Sequence, residues 1–123
     1  MGRVSGRSCI VTGAAQGIGR AIGEALLDEG AQVCFADLNI TKAAAVAEAN
    51  KSRIGDGADR VMHAGVDVAD RGSVQAMIAQ TVEKFGKLDV KFNNAGVNKP
   101  MNFLDVTEDN WNCLLYTYDA ADD

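Results

Sequence analysis

The chain has 123 residues, 47% of them hydrophobic and 24% charged, a composition that fits one globular domain or part of one. Its net charge of −5 argues against a nucleic-acid or anionic-membrane partner, since phosphate groups are held by a basic face. No apolar run approaches the ~20 residues that span a bilayer, and Cys9-Ile10-Val11 near the start is too short for a signal-peptide core.

Residues 8–12, SCIVT, form an apolar run that ends at Gly13, the pattern of a buried parallel strand. From Gly17 to Glu29 a helical period takes over, with Ile18, Ile22, Ala25 and Leu26 on one face and Arg20, Glu24 and Asp28 opposite. Gly30 supplies its C-terminal stop. Residues 32–36, QVCFA, read as a second buried strand that ends in Asp37, and Thr41 is placed to cap an alanine-rich helix. After the turn Gly55-Asp56-Gly57, residues 60–68 read as a third strand ending at Asp67. Residues 70–85 predict a helix with Val74, Met77, Ile78, Val82 and Phe85 as its apolar stripe, closed by Gly86. A fourth strand, LDVKF at 88–92, runs into Asn93-Asn94-Ala95-Gly96. This alternation predicts βαβ units with right-handed crossovers, hence one α/β structure with a parallel sheet.

Cys9, Cys34 and Cys113 are odd in number, widely spaced and without metal-ligand spacing. Cys9 and Cys34, inside apolar strand-like runs, read as small buried thiols, and the protein as reducing and cytoplasmic. His63, alone in a strand, reads as structural.

The motif that points to chemistry is Thr12-Gly13-Ala14-Ala15-Gln16-Gly17-Ile18-Gly19. It follows a buried strand and opens a helix. Glycine there permits positive φ and lets the backbone approach a pyrophosphate, while the helix N-terminus adds amides and about half a positive charge. Its G-x-x-x-G-x-G spacing differs from the commoner G-x-G-x-x-G, and turn punctuation is the competing reading. Asp37 is either a solvated strand-end cap or the acceptor for the hydroxyls of an adenosine ribose. In the second role it repels a 2′-phosphate: unit charges ~4 Å apart interact by about 4 kcal/mol at an effective dielectric near 20. A third of that is roughly tenfold discrimination. Gln16 is neutral and offers no cation to offset it, so the expected cofactor is NAD. Asp67 is placed to accept from an adenine amino group with the Val68 backbone beside the base, or else to cap the turn before the next helix.

Together, Thr12-Gly13-x-x-x-Gly17-Ile18-Gly19, Asp37, Asp67-Val68 and Asn93-Asn94-Ala95-Gly96 resemble the short-chain dehydrogenase/reductase family, in order and spacing, over residues 5 to about 112. The resemblance implies a Rossmann-type doubly wound parallel sheet, here cut off after about four strands. It also implies oxidoreductase chemistry on an alcohol or ketone with a nicotinamide dinucleotide, and a homo-oligomeric parent. By residue, it implies Gly13, Gln16, Gly17, Ile18 and Gly19 at the pyrophosphate, Asp37 at the ribose, and Asp67 and Val68 at the adenine. Asn94, Ala95 and Gly96 would lie beside the cofactor, with Asn93 bracing the fourth strand.

The sequence also departs from the family. The serine and Tyr-x-x-x-Lys that move the substrate proton are missing: Ala120 stands four residues after Tyr116, and Asp122 four after Tyr118. Tyr118 also occupies the place where the family tends to carry a catalytic asparagine after a tryptophan like Trp111. Thr107 opens a helix well, but CLLYTYDAADD, residues 113–123, puts acids where the helix dipole opposes them. That string is similar to a translated sequencing-library adapter, so residues 1–112 are expected to form the NAD-binding unit and 113–123 a non-native tail. Lys91, in a strand expected to be covered on both faces, reads as an edge-strand residue or a sequence error. Residues 98–103 read as a surface loop or a border of the substrate pocket. Two functions follow: the cofactor-binding half of an oxidoreductase, inactive as written, or a stand-alone module that binds NAD without catalysis.

Overall fold

The structure, a computed structural model, describes residues 2–94. The expectations for Ala95, Gly96, the 98–103 loop, Trp111, Cys113 and the tail lie outside these residues.

Four strands, β1 (Ser8–Thr12), β2 (Gln32–Asp37), β3 (Val61–Gly65) and β4 (Val90–Phe92), form one sheet in the order β3-β2-β1-β4. Every pair is parallel, with Val11 opposite both Phe35 and Phe92. Three helices connect them: α1 (Gly17–Asp28), α2 (Ile40–Ile54) and α3 (Arg71–Phe85), with a short 3-10 turn over Ala58–Arg60 before β3. Side chains alternate across the pleat. Cys9, Val11, Val33 and Phe35 therefore meet Leu27 of α1 and Val46 and Ala47 of α2 on one face. Ile10, Cys34, Ala36 and Ala64 meet Val74, Met77 and Ile78 of α3 on the other. Burial on both faces is why the strands read as near-continuous apolar runs. The doubly wound α/β arrangement is the one anticipated.

Several local expectations are corrected. The buried face of α1 is Gly19, Gly23 and Leu27, whereas Ile18 is 73% exposed and Ala25 also faces solvent. The helix lies so close to the sheet that a Cβ on Gly23 would stand 2.3 Å from the Phe35 ring. α2 is capped by Asn39, whose side chain accepts from the Lys42 amide at 3.0 Å, and Thr41 lies within the first turn. β3 stops at Gly65, opposite Asp37, because β2 ends there and leaves no further partner. Thr81 joins the buried stripe of α3, its hydroxyl donating to the Met77 carbonyl at 2.9 Å. Lys91 is half-buried and pairs opposite Ile10 on β4, an edge strand among the described residues.

Polar bonds fasten the layers. Fully buried Asn50 of α2 donates to Glu24 of α1 at 3.0 Å and to the Val46 carbonyl at 2.9 Å. Arg53 donates to Asn50 at 3.0 Å and to Asp28 of α1 at 2.6 Å. Arg60 donates to the carbonyls of Leu27 and Ala31 at 3.1 and 2.7 Å, a cation at the C-terminal, negative end of α1.

Asp89 ties β4 to the start of β1, accepting from the Ser8 amide at 2.8 Å while its own amide donates to the Ser8 carbonyl at 2.9 Å. The Ser8 amide, with Lys87 and Arg7 nearby, holds the Asp89 carboxyl below the ordinary aspartate range. A depressed folded-state pKa contributes stability that is present above the unfolded value and lost as pH falls through the folded one. Asp89→Asn should therefore lower Tm near neutrality, with the gap from wild type closing below about pH 4; pH-dependent thermal melts check this. The Ser8 hydroxyl is buried with no hydrogen-bond partner among the described residues. Ser8→Ala removes that desolvated group and should raise stability by about 0.5–1 kcal/mol in urea melts.

Candidate functional site

The sheet runs outward from β1 through β2 to β3, then returns across β1 to place β4 on its other side. Where connections from neighbouring strands depart in opposite directions, a crevice opens at their carboxyl ends. In this chain it lies between β1 and β4. The turn after β1 enters it with Gly13 at φ +64° and Gly17 at φ +61°, a region that favours glycine. Gln16 caps α1 in an extended conformation without a side-chain bond, and no acid lies in the first turn. The opening amides of α1 thus carry partial positive charge without a side-chain cap or an acid in their own turn, which fits a diphosphate.

Two strands hold this turn. From β2, the Ala36 carbonyl accepts from the Ala14 amide at 3.0 Å, and the Asp37 carboxylate accepts from the Ala15 amide at 3.1 Å. The second Asp37 oxygen accepts from the Asn39 amide at 3.0 Å. From β4, fully buried Thr12 donates to the Phe92 carbonyl at 3.2 Å and accepts from the Asn94 amide at 3.1 Å. Gly19 packs against the same junction, where a Cβ would lie 2.2 Å from the Gly13 carbonyl oxygen and 2.6 Å from Asn94 Nδ2.

On the other flank, the Val66 amide donates to the Asp37 carbonyl at 3.0 Å, joining the ends of β2 and β3. Asp67 is exposed; its carboxylate accepts from the Ala69 amide at 3.0 Å and its amide donates to Ser73 Oγ at 2.9 Å. The turn-cap reading of Asp67 thus holds for one oxygen. Val68 is half-buried and packs towards α3. Leu38 and Ile40 are 75% and 53% exposed, and Ile40 lies across Gly65.

The parallel strands bring Gly13, Gln16, Gly17, Ile18, Gly19, Asp37, Asp67, Val68 and Asn94 to one edge of the sheet. Asn93 is exposed, and the Asn94 backbone makes the brace expected of it. Sequence reasoning passed over Thr12 as the link to β4 and Ala15 as the partner of Asp37; a buried hydroxyl one residue before a glycine turn was the available signal. Leu38 and Ile40 were missed as well, although apolar residues just after a strand-end acid are unusual. Among the described residues, Cys9 and Cys34 supply no nucleophile: burial pushes the Cys9 thiol up to about 11 and Cys34 to about 12. His63 lies half-buried within β3, and no metal-binding cluster occurs among the described residues. None of their helices is long and apolar enough to cross a membrane.

Comparison with known proteins identifies this architecture. The family model described as short chain dehydrogenase matches residues 7–117. The chain belongs to the short chain dehydrogenase family. Within that family, it is 33% identical over 113 residues to a sorbitol dehydrogenase of Cereibacter sphaeroides, covering 92% of this chain and 41% of the relative. It is 40% identical over 100 residues to the bovine (Bos taurus) 15-hydroxyprostaglandin dehydrogenase [NAD(+)], covering 81% and 37%. The chain thus spans about two fifths of the length of the curated relatives it matches. Hydroxysteroid dehydrogenase from Escherichia coli superposes with a TM-score of 0.77 at 24% identity, covering 97% of this chain and 52% of that one. A short-chain dehydrogenase/reductase of Brucella melitensis gives 0.74 at 24% identity, covering 95% and 51%. At that identity both speak for the fold alone.

Proposed function

We propose that this chain is the cofactor-binding portion of an NAD-dependent oxidoreductase acting on an alcohol or ketone. The observation that carries the reading is the pairing of an acid-free, glycine-lined helix start with a carboxylate bound to the same turn. In this reading the amides of Gly17, Ile18 and Gly19, with Gly13 and Gln16, hold the diphosphate. Asp37 accepts from the ribose hydroxyls, and Asp67 and Val68 border the adenine. Asn94, Ala95 and Gly96 are assigned beside the cofactor, whose nicotinamide ring supplies hydride transfer when bound. Affinity with a relative whose name specifies NAD(+) supports the same choice.

The proton relay and the substrate pocket are placed outside residues 1–112, with residues 113–123 apart from the cofactor unit. Homo-oligomerisation and a cytoplasmic location complete the proposal. Calorimetric titration of the purified protein tests its centre. NAD is expected to bind at least roughly tenfold more tightly than NADP. Equal affinity, or a preference for NADP, overturns the assignment of Asp37.

A further inference from the structure

We infer that Asp37 is also the positioning residue for the diphosphate turn, so that the sugar and diphosphate halves of the cofactor are recognised through one carboxylate. This rests on the cofactor reading above and deepens it.

The turn between β1 and α1 is bounded by two glycines at positive φ, Gly13 and Gly17, a conformation reached at high entropic cost and hence in need of tethers. Consecutive amides of that turn are tied to consecutive residues of β2, Ala14 to the Ala36 carbonyl and Ala15 to the Asp37 carboxylate. The first bond is backbone to backbone; the second depends on the side chain. The carboxylate is itself oriented from behind by the Asn39 amide at 3.0 Å, in the segment that caps α2. An ionised carboxylate offers about four lone-pair sites. Two are used within the protein, and two remain for a pair of ribose hydroxyls. The ribose acceptor and the strut beneath the diphosphate amides can therefore act at once.

Probes that each report one half of the site separate these roles. Inorganic pyrophosphate touches only the turn, and adenosine only the sugar and base side. Asp37→Asn turns one oxygen into a donor facing an amide donor. It should weaken pyrophosphate binding about fivefold, although removing a negative charge beside an anion would by itself strengthen it. Asp37→Glu keeps the charge but shifts it by one methylene, and should weaken pyrophosphate as well. It should also speed hydrogen exchange at the Ala15 amide while leaving the β1 and β2 amides protected. If Asp37→Asn does not fold, Asp37→Glu alone decides. Unchanged or tighter pyrophosphate binding in the folded variants, with only adenosine weakened, overturns the inference. Failure of the wild-type protein to bind NAD would instead overturn the cofactor reading beneath it.

Discussion

Gly19→Ala is expected to lower affinity for NAD by roughly ten- to a hundredfold. The added methyl would stand 2.2 Å from the Gly13 carbonyl oxygen and 2.6 Å from Asn94 Nδ2. One of these atoms is backbone, and the other belongs to a residue whose amide is tied to Thr12. The Asn94 side chain can turn aside, but the Gly13 carbonyl is backbone, so the first turn of α1 must move away from the turn that follows β1. That displacement separates the helix amides from the glycine turn they complete. Alanine also favours a helix over glycine by about 1 kcal/mol, which offsets part of the strain in the folded protein. Affinity should thus fall much further than thermal stability, and calorimetry alongside a melt distinguishes the two. An unchanged dissociation constant would mean that the first turn of α1 takes no part in holding the cofactor.

Phe35→Ala should cost about 3–5 kcal/mol of stability, a large share of the roughly 5–15 kcal/mol a native domain possesses. Phe35 is fully buried in β2, and its ring occupies the space that a Cβ at Gly23 would need. The contact sets a sign reversal. Gly23→Ala alone overpacks a rigid site and should destabilise by about 1–2 kcal/mol after its helix-forming gain. With Phe35 reduced to alanine the obstacle is gone, and the same substitution should stabilise by about 1 kcal/mol. Urea unfolding of the two single variants and the double variant measures this coupling directly. Additive values would show that the ring and helix do not press on each other.

These residues also explain what the sequence made legible. SCIVT and QVCFA were readable as strands because burial on both faces removes polar alternation, and the Gly13 to Gly19 turn because its signal is local. The seating of α1 was not readable from apolar spacing. Its closest approach is made by Gly19 and Gly23, which have no side chain to register in a hydrophobic pattern. Asn39 and Thr41 are both good capping residues, and the end of β2 at Asp37 decides between them by fixing where the chain turns. Thr12 and Ala15 were hidden for another reason. Their partners, Asn94 and Asp37, lie far along the chain and meet them only once the sheet has assembled. Ala95 and Gly96 enter the proposed site through the family resemblance alone.

The buried amide of Asn50 gives α1 and α2 something that greasy contact cannot. An amide has direction, and sliding α2 by one residue would leave it facing hydrocarbon at a cost of about 1–3 kcal/mol. Its bond to Glu24, reinforced by Arg53 on Asp28, therefore clamps the two rods lengthwise. Their heads, Gly17 and Asn39, behave like the jaws of a locked caliper. The spacing between those two ends is thus set by a polar pair well back along the helices.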